Sequence, residues 1–227
     1  VGSNEEENLQ HIINNLDVDA GRGLVCPFLT TKHTLEYCEW YAARALEAGC
    51  DTITVLGGDK HVGAPRCVPH GYLLREHLKA RFPELVLGGW ANPHADIARQ
   101  TAYLTAEDFC ADFHLTQLVS HHHLEVVDAF LEAKAKAGVE QPAIWGVFHY
   151  RSPNRKTLER LASFFPVPLE GLLRDFDQGM SATEITAKTI VALRERGIDK
   201  VYVSNLNPDR AHRQLKKIVA AVETLSI

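Results

Sequence analysis

Two hydrophobic rhythms trade places along this chain. Short runs of apolar and β-branched residues at Leu24–Leu29, Thr52–Leu56, Leu85–Trp90, Phe113–Val119, Ala143–Phe148 and Val201–Leu206 predict strands. Several are apolar on both faces, as strands sandwiched inside a parallel sheet are. Between them the apolar positions recur at helical spacing. Leu35–Ala48 carries Leu35, Cys38, Ala42, Ala45 and Leu46 on one face and stops at Gly49. Leu124–Ala137 is striped by Leu124, Val127, Phe130 and Leu131 and stops at Gly138. A third helix starts at Ser181, whose hydroxyl and Glu184 have capping-box spacing, and ends at Gly197, suited to a left-handed residue. Further helices are expected over Tyr72–Arg81, Ile97–Glu107, Lys156–Phe164 and Asp209–Thr224, and an acidic one over Glu5–Leu16. Phe165–Leu169, FPVPL, is a connection before another short helix.

Each strand-plus-helix unit takes roughly 30 residues, the size of a βαβ step. The expected fold is therefore α/β with parallel strands. A doubly wound open sheet and a TIM-type (β/α)8 barrel both satisfy that pattern. The polar ends of the strands favour the barrel. Asp59, Gln117 and Asn205 or Asn207 close an early, a middle and a late strand. An open sheet gathers such residues at one switch point, whereas a barrel brings all its strand ends to one face. Asp59 and Gln117 could then converge on one ligand.

The candidate chemistry sits at those ends. Leu56-Gly57-Gly58-Asp59 runs a strand into a flexible turn that ends in a carboxylate. Glycines let a ligand approach the backbone, and a carboxylate accepts two N–H bonds from an amidine-like edge such as a pterin or guanine. A solvated turn Asp is the plainer alternative, and no GK[ST] follows to make a P-loop. Gln117, near the end of a buried strand, needs partners for both a donor and an acceptor. A ligand supplies both, and so does a neighbouring strand. Gly88, Trp90 and His94 line another junction, where a planar ring could stack and a phosphate could be met; a core Trp and a loop His are the alternative. Val147–Arg151 is either a cover for a stacked substrate or a packed rim. His121-His122-His123, with His61, His94 and His149 in other strand-end loops, raises the question of a metal. None is expected: adjacent histidines point apart, and no HxH, HExxH or matched carboxylate pattern accompanies them. A nucleophile elbow, a catalytic-triad order and a redox CxxC are also lacking.

Bulk properties narrow the class. No Gly/Ser/Pro linker or charge run divides the 227 residues, so residues 1–227 are expected to form one barrel domain. The net charge of −5, with Lys and Arg scattered, argues against nucleic acid and membrane surfaces as partners. No apolar run reaches the length of a membrane span, and VGSNEEEN lacks signal-peptide character. The five cysteines are widely spaced, as reduced thiols in a cytoplasmic protein are.

Taken together, the motifs resemble the methylenetetrahydrofolate reductase family of TIM-barrel flavoenzymes. ITVLGGD (Ile53–Asp59) is similar to its strand-four motif, which usually ends Arg-Gly-Asp, and ADFHLTQL (Ala111–Leu118) to its strand-six motif. WGVFHYRSPNRKTLERLA (Trp145–Ala162) resembles the strand-seven loop and helix, and VYVSNLNPDRA (Val201–Ala211) the final strand and helix. The resemblance runs in register from Val1 to Ile227. It implies reduction of 5,10-methylenetetrahydrofolate to 5-methyltetrahydrofolate with NAD(P)H through FAD. Asp59 and Gln117 would hold the pterin. Leu56, Gly57, Gly58 and Asp59 would lie along the flavin, and Gly88, Trp90 and His94 would line its ring and phosphates. A homo-oligomer associating through helices is also an expectation.

The chain departs from the family in three ways. Val1–Asn4 aligns with the end of the family's second strand, so the strand carrying its catalytic Glu lies upstream of Val1. No general acid is therefore assigned, and six strands are expected, in a barrel incomplete at its N-terminus. Leu104 and Ala106 stand where the family has basic residues near the flavin pyrophosphate, and Gly57 stands where it has Arg. These departures keep two alternatives open: a flavin-free folate-binding or methyl-transfer component on the same barrel, and a His-rich metal-dependent hydrolase.

Overall fold

The computed structural model describes residues 25–58 and 63–225. The expected helix at Glu5–Leu16 and the Asp59 carboxylate lie outside them. Among the described residues six strands occur, each followed by helix: β1 (Phe28–Thr30), β2 (Thr52–Leu56), β3 (Val86–Ala91), β4 (Phe113–Val119), β5 (Ala143–Phe148) and β6 (Val201–Ser204). The helices are α1 (Leu35–Glu47), α2 (Gly71–Arg81), α3 (Ile97–Thr105), α4 (Leu124–Lys136), α5 (Arg155–Ala162), α6 (Leu169–Asp177), α7 (Ala182–Arg194) and α8 (Ala211–Leu225). The strands stand in the sheet in chain order, β1-β2-β3-β4-β5-β6, with no reversal. This is a parallel α/β fold, and the doubly wound alternative, which needs a reversal of strand order, is set aside. Among the described residues no helix is long and apolar enough to cross a membrane.

The described residues fall into two compact units, one built from the chain up to Trp90 with Tyr103–His114 and Glu140–Pro142, the other from the remainder. In the first, β1 pairs with β2 in parallel (Leu29 opposite Val55), and β2 with β3 (Ile53 opposite Leu87). Leu29, Ile53, Val55 and Leu87 are fully buried against Tyr41, Ala42 and Ala45 of α1 and Leu74 and Leu78 of α2. Thr34 caps α1 by accepting from the Tyr37 amide, and Gly49, at φ 77°, stops it. A guanidinium is set into this core. Arg75, on α2, is 4% exposed and donates to the carbonyls of Phe109 (2.6 Å), Cys110 (3.2 Å) and Val55 (3.2 Å), with its guanidinium 4.6 Å from the Phe109 ring centre. Burial lowers it to about 10, so it remains a cation at neutral pH.

In the second unit β5 pairs with β6 in parallel, Gly146 opposite Tyr202. Gly146 is required there: a Cβ would lie 2.5 Å from the Tyr202 hydroxyl. The phenol crosses this gap and donates to the Thr116 carbonyl of β4 at 2.7 Å, while the Gly146 amide donates to the Thr116 hydroxyl at 3.1 Å. Phe130 of α4 is fully buried, its ring edge-on to Trp145 of β5 at 5.9 Å. The connection from β5 to β6 holds three helices, α5, α6 and α7. Asn154 caps α5, and the expected capping box starts α7, with the Ser181 amide donating to Glu184 at 2.7 Å.

Candidate functional site

In the first unit, β2 ends at the Gly57-Gly58 turn, with Gly58 at φ 66°. This turn is already lined by the protein. The Arg66 guanidinium lies over Gly57, where a Cβ would meet it at 3.1 Å, and donates to the carbonyls of Gly58 and of Pro69 (2.9 Å). The Lys32 stem fills the space beside Gly58, and its ammonium donates to the Ala64 carbonyl at 2.8 Å. Gly88 is no open mouth either: a Cβ there would meet Phe113 Cζ at 2.5 Å and Thr54 Oγ1 at 2.7 Å. The glycine admits a core ring, which corrects the expectation that it leaves room for a ligand. Trp90 is half-buried. Leu104 is 1% exposed in the core and Ala106 precedes a short 3-10 turn, so neither position supplies a cation.

The second unit holds the polar strand ends. Gln117, on β4, is half-buried, and its Oε1 accepts from the neighbouring Leu118 amide at 3.0 Å. Its NH2 group has no partner among the described residues. His94 lies in a turn shaped by Asn92, whose Oδ1 accepts from the His94 amide at 3.1 Å. The His94 ring meets the Leu118 carbonyl through Nε2 at 2.9 Å and sits edge-on to His123 at 5.2 Å. Its ring proton is thus committed to a carbonyl, and burial holds its pKa below the ordinary imidazole range. A neutral, engaged imidazole is a poor phosphate donor, which corrects the role expected for it.

Val147–Arg151 proves to be a packed rim. Phe148 and Tyr150 are buried, their rings tilted against each other at 4.9 Å, with Phe148 also 4.9 Å from Phe165. His149 bonds Thr186 through Nδ1 at 2.9 Å, and Asn205, at φ 68°, donates to the His149 carbonyl at 3.0 Å.

His94 and His149 are both held below their usual range, chiefly by burial and, for His149, also by Arg151. The unfolded chain therefore takes up protons before the folded one does. The stability these residues contribute is complete above about pH 6.5 and is lost as the pH falls through their folded values. The urea midpoint is expected to fall between about pH 7 and about pH 5, and a His94→Gln/His149→Gln variant to flatten that fall. An unchanged slope in the variant would contradict it.

The tightest cluster was not expected. The His121 and His122 rings lie 4.0 Å apart and turn toward the same carboxylate, Asp175 of α6. Asp175 Oδ2 lies 2.9 Å from His121 Nε2 and 2.7 Å from His122 Nε2, and Lys188 Nζ is 3.6 Å from Oδ1. Burial first, then His122, holds the His121 ring to about 4, so it is neutral under ordinary conditions. Burial pushes the Asp175 carboxyl up, but the hydrogen bond from His122 and the neighbouring His121, His122 and Lys188 outweigh it and hold it below the usual carboxylate range. The expectation that adjacent histidines point apart fails here because the loop from β4 into α4 folds both rings onto α6. Sequence reasoning missed Asp175: in LEGLLRDFD it looks like any solvated helix charge.

The positions a flavin would use are thus poorly suited to it. Arg66 covers Gly57, Phe113 fills Gly88, His94 is engaged, and Leu104 and Ala106 offer no charge to a pyrophosphate. The residues present do not fit FAD.

No protein-family model and no curated protein matches this sequence. Among solved structures, the fold is similar to that of an uncharacterized protein from Clostridium thermocellum that binds two copies of 5-methyl-5,6,7,8-tetrahydrofolic acid. The TM-score is 0.58 at 13% identity, over 98% of this chain and 87% of that one. At that identity the likeness is one of fold: the chain shares its α/β architecture with a folate-binding protein.

Proposed function

We propose that this chain is a folate-binding protein whose ligand is a reduced folate of the 5-methyltetrahydrofolate class. The observation that carries the reading is a fold shared over nearly the whole chain with a protein that binds that ligand. The Gln117 carboxamide, whose NH2 has no partner among the described residues, agrees with it. A pterin presents fixed donors and acceptors along one edge, and a carboxamide with an uncommitted NH2 and a second lone pair on Oε1 can serve both. Asp59, the second recognition residue expected from the sequence, lies outside the described residues; its carboxylate has the chemistry to accept from a pterin's amino and ring N–H groups. The chain-order winding of the strands supports a (β/α)8-type barrel of which the described residues supply six strands.

The flavin-free alternative is the stronger form of the proposal, because the positions due to FAD are occupied by the protein's own groups. The reductase reading, with NAD(P)H as reductant and FAD as carrier, predicts a different protein in the cuvette.

Isothermal titration with 5-methyltetrahydrofolate tests the ligand. Binding is expected, with Gln117→Ala and Asp59→Ala each weakening it about tenfold or more, the worth of one good polar contact at roughly 1.4 kcal/mol. Unchanged affinity in both variants defeats the recognition pair, and no binding by the parent chain defeats the folate reading. The fresh protein is expected to be colourless; a yellow protein bleached by NADH and methylenetetrahydrofolate would restore the flavoenzyme.

A further inference from the structure

We propose that His121, His122 and Asp175 form a binding site for one divalent transition-metal ion of the zinc class. Their ligand atoms lie within 4.8 Å of one another, and they come from two segments distant in sequence, the loop after β4 and helix α6. Two imidazoles and one carboxylate are a common ligand set for such ions, which leaves a coordination position for water or another small ligand.

His121 is also oriented as a metal ligand is. Its Nδ1 lies 2.9 Å from the Thr189 hydroxyl of α7, an outer partner that sets the ring, and this turns Nε2 toward Asp175 Oδ2 at 2.9 Å. A ring whose second nitrogen is held by an outer group is how metal-binding histidines are aligned.

The surroundings are shaped for the cluster. Gly171 and Asp175 stand one turn apart on α6, on one face. The His122 ring lies directly on Gly171, where a Cβ would come within 2.7 Å of ring Cγ and Nδ1. The His121 and Asp175 side chains are 5% exposed, while His122 is 21% exposed, so entry is from the His122 side. Bonds of about 2.1 Å set tetrahedral ligands about 3.4 Å apart. From 2.9 Å at His121 and 2.7 Å at His122, the two contacts to Asp175 need open by only about 0.5 and about 0.7 Å to admit the ion. Lys188 contacts the other carboxylate oxygen and opposes the added charge, which limits the affinity.

The test is titration of the full chain, first freed of metal by dialysis against a chelator, with Co2+ and then Zn2+. One equivalent of Co2+ is expected to give the visible absorption of a four-coordinate ion, and Zn2+ to abolish it. His122→Ala and Asp175→Asn are expected to weaken binding at least tenfold. Gly171→Ala keeps every ligand but pushes the His122 ring away, so it is also expected to weaken binding. Lys188→Met removes the opposing charge and is expected to tighten it. Circular dichroism confirms that each variant is folded, and Gly171→Ala and Lys188→Met decide the matter should a ligand variant unfold. Absence of the one-equivalent spectrum in the parent chain overturns the site, as does equal affinity across the folded variants. The site is independent of the folate reading, because the metal is measured without folate and each result stands whether or not folate binds.

Discussion

Replacing Arg75 with alanine is expected to cost about 3–5 kcal/mol of stability, the range for removing one side of a buried charged network. The guanidinium is 4% exposed and is the hydrogen-bond partner of three main-chain carbonyls, those of Val55, Phe109 and Cys110. Phe109 and Cys110 belong to an irregular segment: a short 3-10 turn ending at Cys110, which is left-handed at φ 46°. Its carbonyls have no ladder to join, so the fork of one arginine satisfies them together. Alanine leaves buried acceptors bare at about 1–3 kcal/mol each and removes the cation from the Phe109 ring. Urea denaturation should show a midpoint lower by about 1–2 M, given a slope of about 3 kcal/mol per molar for a chain of this size. Lysine should recover only a fraction, because a single ammonium does not reproduce the fork. A loss below about 1 kcal/mol would mean that the segment relaxes to water without Arg75.

Phe130→Ala ranks beside it, with an expected loss of about 3–5 kcal/mol. Phe130 is fully buried on α4 and meets Trp145 edge-on, so truncation removes both the burial and the ring contact and leaves a cavity beside β5. For a chain of this length the thermal midpoint should drop by about 10 °C. The effect reaches the candidate site, because the His121–His123 loop leads directly into α4 and Phe130 pins that helix to the sheet. Phe130→Leu, which refills most of the space, should retain most of the lost stability; equal losses for Ala and Leu would point to the ring geometry rather than the volume.

The strands and helix ends were legible because they depend on local rules. The Ser181–Glu184 box and the stops at Gly49, Gly138 and Gly197 all occur where the sequence places them, each of those glycines at positive φ. The parallel winding followed from the alternation of elements. The site was less legible, since its chemistry depends on partners far away in sequence. Gly88 looks the same in a sequence whether a ligand or Phe113 fills its missing side chain. His94 looks like a donor until Leu118 takes its proton. Asp175 gains meaning only when three helices between β5 and β6 bring it back to a loop more than fifty residues earlier. The aromatics at Phe148 and Tyr150 fitted a cover or a rim, and Phe165, beyond a proline-rich connection, decides for the rim.

The phenol of Tyr202, reaching past Gly146 to β4, ties two positions together through time. A lineage that gains any side chain at 146 must first shrink the aromatic at 202, and one that shrinks the aromatic first leaves a hole and a bare carbonyl at Thr116. Neither single step is neutral, so this pair is expected to persist unchanged, or to be exchanged jointly, in descendants whose surfaces have otherwise diverged.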